Sequence, residues 1–175
     1  MGRGEKRHIL RKRKAPGLAP GTLVHVGRQL VENTTITVTS YDQTTLNKNT
    51  ATSAEHAKGF THPARVNWIN VIGLHDTEVI ESFKDAFGLH PLLLEDVVNT
   101  EQRPKMEQYG DITFIVIKAV HANGEELLTE HLSIVLTNHS LITFQERGGD
   151  SLQPVLERIE QGRRIRERGE DYLAY

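Results

Sequence analysis

The stretch DITFIVIKAVHANGEELLTEHLSIVLTNHSLITFQER, residues 111–147, decides the fold. Three runs rich in Ile, Val, Leu, Phe and Thr (111–122, 126–138 and 140–147) are punctuated by short polar breaks. β-Branched and aromatic residues suit a pleated, half-buried surface, so each run predicts a strand. Asn123-Gly124 between the first two is a strong hairpin signal, because glycine and asparagine tolerate the positive φ that tight hairpins need. Asn138-His139-Ser140 makes a second tight connection. The three strands are therefore expected to form an antiparallel meander.

Working outward, residues 22–27 (TLVHVG) and 34–42 (TTITVTSYD) also predict strands, the second with Ile36 and Val38 alternating with threonines. Residues 43–64 are polar and weakly patterned, and no element is assigned to them. VNWINVIGL (66–74) predicts a further strand, with Val66, Trp68 and Val71 on one face. Asp76 then caps a helix carrying Val79, Ile80, Phe83 and Phe87 at helical spacing, closed by Gly88. Pro91 suits the first turn of a second helix starting near His90, with Leu93, Leu94, Val97 and Val98 as its buried stripe. After the meander, residues 151–175 predict helix with a break near Gly162. Ser151 is the expected cap, and Val155, Leu156 and Ile159 face inward. Tyr172, Leu173 and Tyr175 begin another apolar stripe in which the chain stops, the expectation for a piece of something longer. Strands, helices, strands and helices in this order predict a mixed sheet covered by helices.

Composition narrows the function. The 175 residues are 37% hydrophobic and 25% charged, within the range of a globular domain with a real core. Cysteine is absent, which excludes disulfides, thiolate metal sites and a cysteine nucleophile. Residues 1–14 hold seven Lys/Arg against Glu5, or +6, so the chain total of −2 leaves −8 on the remainder. A negative body attracts cations more readily than nucleic acid. Residues 1–21, basic and then rich in Pro and Gly, read as a flexible tail ahead of an α/β domain over 22–175. No apolar run approaches the ~20 residues of a membrane span. There is no GxGxxG, Walker lysine motif, GxSxG or HExxH, and the nine histidines are scattered.

What remains is HPLLLEDVVNTEQRPK, residues 90–105, where three leucines run into Glu95 and Asp96. Neighbours on a helix diverge by about 100°. Two such carboxylates do not easily grip one ion together. They are a solvated acidic edge, an acid/base pair, or half of a metal site. Mg²⁺ suits the last reading, because it keeps several waters and accepts one or two carboxylates.

APGTLVHVG, WINVIGLHD, FGLHPLLLEDVVNTEQRPK, FIVIK, HLSIVLTN, LITFQE and VLERIEQGRRIRERGEDYLAY together resemble, in that order, the N-terminal cytosolic domain of the CorA family of magnesium channels. The resemblance covers roughly residues 21–175, and the HP-x-x-LEDV-x-N-x-x-QRPK block is its most specific part. It implies an α/β/α sandwich with a mixed parallel/antiparallel sheet, ahead of a stalk helix and two transmembrane helices that this sequence lacks. It implies a homopentamer on the cytoplasmic side of the inner membrane, a Mg²⁺ (and cobalt) transport role, and no enzymatic activity. Glu95 and Asp96 fall on the family's regulatory divalent-cation sites. These sites are shared between neighbouring protomers and completed by acids beyond Tyr175. Arg103 and Lys105 are expected to hold the loop after the second helix, Trp68 to belong to the core or an interface, and Gln145 and Glu146 to tie down the turn after their strand. A zinc or other divalent-metal transporter of the same family, a stand-alone binding module and a hydrolase are the alternatives.

Overall fold

A computed structural model describes residues 17–123, 126–149, 151–162 and 164–175. The expected flexible tail lies largely outside the described residues, as does the Gly124 turn. Seven strands form one sheet: β1 (Thr35–Tyr41), β2 (Leu46–Ala51), β3 (Val66–Ile72), β4 (Lys105–Tyr109), β5 (Ile112–Asn123), β6 (Glu126–Leu136) and β7 (Ser140–Gln145). Their order is β2-β1-β3-β7-β6-β5-β4. Only β3 and β7 pair in parallel, and every other neighbour is antiparallel.

The meander forms as the alternation predicts. β5 and β6 pair from Thr113↔Leu136 to Asn123↔Glu126, and β6 and β7 from Leu132↔Gln145 to Leu136↔Leu141. β7 is buried along its whole length, as a central strand covered on both faces must be.

Among the described residues, six helices cover the two faces: α1 (Ala54–Gly59), α2 (Thr77–Glu81), α3 (Phe83–Phe87), α4 (Pro91–Val97), α5 (Gln153–Glu160) and α6 (Glu170–Ala174), with a 3₁₀ turn at Arg164–Glu167. α1–α4 pack on one face over Ile36, Val38, Ile69, Val71, Phe114 and Phe144. Trp68, Leu141 and Tyr41 on the other face meet Ile159 and Leu173 from α5 and α6. The result is the expected α/β/α sandwich. Val71 lies in the first core and Val66 and Trp68 in the second, so the expected grouping of all three on one face is corrected by the period-two pleat.

Several local expectations also change. Among the described residues, 22–27 form no strand; Val26 makes a parallel bridge to Asn99. They run instead as a strap along α4. Residues 43–64 hold β2 and α1. β4 carries no strand signal in the sequence, because KMEQY alternates polar residues along a sheet edge. The helix capped by the Asp76 side chain divides at Ser82, whose hydroxyl donates to the Val79 carbonyl (2.6 Å), and closes at Gly88 with φ 68°. Ser151 does not cap α5. Leu152 holds that position with no side-chain cap bond, and the Ser151 hydroxyl donates to Glu130 Oε2 (3.1 Å). Pro154 at the helix start leaves one fewer backbone donor to satisfy. Gly162 breaks the helix with φ 66°. Leu173 is buried, but Tyr172 and Tyr175 are exposed, so a five-residue helix carries one inward residue and not a stripe. Among the described residues, no helix is long and apolar enough to cross a membrane.

Candidate functional site

α4 is fixed before its carboxylates do anything. Pro91 occupies its first turn, and His90 Nδ1 accepts the Leu92 N–H (3.2 Å). Leu93, Leu94, Val97 and Val98 are fully buried. Each such side chain contributes about 1.5–3 kcal/mol by leaving water. With that stripe locked inward, Glu95 and Asp96 must fall on the partly exposed side of the helix.

Their oxygens go to different partners, as a 100° divergence requires. Glu95 Oε2 accepts the Gly21 N–H across 74 residues of sequence, at 2.7 Å. Gly21 has φ 83°, and a Cβ there would lie 2.9 Å from Pro91 Cβ. The strap backbone therefore packs directly against the Pro91 side chain. At its far end, Val26 N–H donates to Val98 O (3.0 Å) and Val26 O accepts from Thr100 N (2.9 Å). Gly27 follows at φ 133°, where a Cβ would stand 2.0 Å from Thr100 Oγ1. The sequence signal for this arrangement was the two glycines flanking TLVHV.

Asp96 faces the other way. Gln102 Nε2 donates to its Oδ1 (2.6 Å), and the Lys105 ammonium lies 2.6 Å from its Oδ2. Lys105 also pairs with Glu107 Oε1 (2.9 Å) and sits 5.8 Å from the centre of the Phe114 ring. Burial works to lower the Lys105 pKa, but hydrogen bonds and charge from Asp96 and Glu107 outweigh it and raise the pKa. Glu107 is held below its ordinary value by Lys105 first and the Tyr109 hydroxyl second. Tyr109 is pushed up to about 12, by burial and then by Glu107. Lys105 thus holds the loop after α4, as expected. Arg103 is exposed and makes no ion pair among the described residues.

Among the described residues, no group of three or more His, Asp or Glu stands ready to hold a metal ion. Two carboxylates with one oxygen each on a neighbour, and an ammonium against one of them, do not chelate a bare cation. A carboxylate has about four acceptor sites, more than the neighbours among the described residues occupy on Asp96, and a hydrated ion binds through its waters. The donor set fits an outer-shell half site.

The other expected residues are structural. Trp68 is 4% exposed, and its Nε1 donates to Thr143 Oγ1 (2.9 Å). Gln145 Nε2 reaches across to Asn70 Oδ1 (2.6 Å), and Glu146 accepts the His131 N–H (2.8 Å). Both tie strands together, and neither bond reaches the following turn. Asn67 is a further structural residue, whose buried amide donates to three carbonyls and accepts from Ser40 and His62. It fixes the start of β3, and nothing in its local pattern marks it.

Comparison with known proteins places this geometry. The model of the CorA-like Mg²⁺ transporter protein family matches residues 63–174. The chain is 40% identical to a cobalt/magnesium transport protein CorA of Thermotoga maritima over 162 residues, 91% of this chain and 46% of that one. It superposes on the soluble domain of CorA from Methanocaldococcus jannaschii with TM-score 0.57 at 18% identity, covering 80% of this chain and 52% of that one. The ZntB cytoplasmic domain of Vibrio parahaemolyticus gives TM-score 0.55 at 13% identity, over 73% of this chain and 50% of that one. The chain spans about half the length of these relatives. With the seven-stranded mixed sheet and the Glu95–Asp96 helix in place, the chain belongs to the CorA-like Mg²⁺ transporter family.

Proposed function

We propose that the chain is the cytosolic Mg²⁺-sensing head of a CorA-type magnesium transport channel that works as a homopentamer. The observation that carries this reading is the pair Glu95 and Asp96, held on the partly exposed side of α4 by separate anchors at Gly21, Gln102 and Lys105. Two fixed, divergent carboxylates offer a second chain a rigid half site. Glu95 and Asp96 would hold hydrated Mg²⁺ through its waters, and the ion would supply positive charge that screens carboxylates facing each other across a seam.

Magnitudes favour a weak, shared device. Two carboxylates about 4 Å apart repel by roughly 4 kcal/mol at an effective dielectric near 20. Salt reduces that further. Swinging a two-state equilibrium from 1:99 to 99:1 takes about 5.5 kcal/mol of differential binding, roughly 1 kcal/mol at each of five seams. Lys105 already offsets part of the charge on Asp96, which keeps such a site weak and suits an abundant ion. The channel would close when the seams are loaded and loosen when the ion is scarce.

The test is crystallographic: full-length protein, crystals soaked in Co²⁺, with anomalous scattering at the cobalt edge. The expected result is a peak at the seam beside Glu95 and Asp96. A map with peaks elsewhere and none at that seam would reject the sensing role.

A further inference from the structure

A second charged feature lies beside the strap. A cavity of about 430 Å³ opens between the end of the strap, the turn after α4 and the β5–β7 end of the sheet. Arg28, Lys118 and Arg147 line it against Glu101 and Glu146.

Lys118 and Glu146 have fixed places. The Lys118 ammonium donates to the Thr100 carbonyl and lies 3.5 Å from His131 Nδ1. His131 is fully buried, and its Nε2 meets Ser133 Oγ at 2.9 Å. Burial, with Lys118 adding to it, pushes His131 down to about 3, so the imidazole is neutral. Glu146 spends Oε2 on the His131 N–H. Burial lowers Lys118 and raises Glu146. The two guanidinium groups are different. Neither Arg28 nor Arg147 makes a side-chain hydrogen bond or ion pair among the described residues.

A cavity with two uncommitted guanidinium groups and a lysine on its wall asks for an anion. The Lys118 ammonium already stands at the Thr100 carbonyl beside His131, a positive charge fixed on the cavity wall. Arginine forks match phosphoryl oxygens bidentately. The volume falls in the ~300–1,000 Å³ range of small-molecule sites, which suits a diphosphate better than a single small ion.

We propose that this cavity receives the phosphoryl groups of a diphosphate or nucleotide, clamped by Arg28 and Arg147 over Lys118. Occupancy would act on the strap, because Arg28 directly follows the Val26–Gly27 anchor and Glu95 pins the strap's other end. That coupling rests on the sensing role proposed above, but anion binding does not.

The experiment is isothermal titration calorimetry of the full chain with inorganic pyrophosphate in metal-free buffer. Arg28→Ala and Arg147→Ala are each expected to weaken binding about tenfold, and both together about a hundredfold, the loss of one and two charge-assisted contacts. Arg28 is exposed, and circular dichroism confirms folding of the variants. Vesicles containing phosphatidylglycerol form a second arm. Retention that needs both arginines, without pyrophosphate binding, assigns the phosphoryl group to a lipid headgroup. No binding in either arm overturns the proposal, as does binding unchanged in the double variant, which would place the anion on the basic residues 1–14. The metal-free titration leaves the cation-sensing role untouched by either outcome.

Discussion

The Lys105 ammonium lies 2.6 Å from Asp96 Oδ2, with the two side chains 24% and 19% exposed. An acid that resembles a metal ligand therefore already holds a cation from its own chain. This contact gives Asp96 two roles, anchoring the loop between α4 and β4 and offering charge to solvent.

The anchoring role is measurable in the isolated chain. Asp96→Asn and Lys105→Gln each break the pair, and each is expected to destabilise the domain by about 1–2 kcal/mol, between exposed and buried pairs. Urea unfolding checks this, and a double-mutant cycle gives the coupling. Additive losses would show that the pair contributes no mutual stabilisation.

Glu95 anchors the strap. Glu95→Gln weakens its bond to the Gly21 N–H from charge-assisted to neutral, at a cost of about 1 kcal/mol. The expected signature is faster amide hydrogen exchange at Gly21, with the β5–β6 amides unchanged. Uniform acceleration across the domain would indicate global destabilisation in place of a released strap.

His131 makes stability depend on pH. Its folded pKa is about 3 against 6.5 for the free side chain, so between those values the unfolded chain binds the extra proton. Its contribution is complete above about pH 6.5 and is lost as pH falls toward 3. Glu146, raised by burial, acts in the opposite sense: its stabilisation is present at low pH and lost as pH rises through its folded pKa. On acidification from pH 7 to 5 the His131 contribution is lost, so the melting temperature is expected to fall more steeply in the parent than in His131→Gln. Equal slopes in both proteins would contradict a buried neutral imidazole.

Much of the architecture is legible in local pattern. β5–β7 declare themselves through β-branched residues and Asn123-Gly124, and α4 through Pro91 and its leucines. The strap is not legible, because TLVHV has strand composition while its backbone partners, Val98 and Thr100, come from more than 70 residues away. β4 hides behind polar edge residues such as Glu107 and Gln108. In the candidate site, the acids stand out in sequence and their partners do not. Asp96 and Lys105 are nine residues apart on different elements, a spacing with no helical or strand meaning. Arg28 and Arg147 share a cavity only because the strap runs the length of α4 and ends beside the end of β7.

The most direct measurement compares Mg²⁺ dependence of ion flux through the full-length protein in Asp96→Asn and Lys105→Gln. A sensing carboxylate requires opposite shifts. Losing the acid moves the response to higher Mg²⁺, and losing the competing ammonium moves it to lower Mg²⁺. Shifts in the same direction, the mark of a broken structural pair, or no shift in either, would contradict the claim that these acids sense the ion.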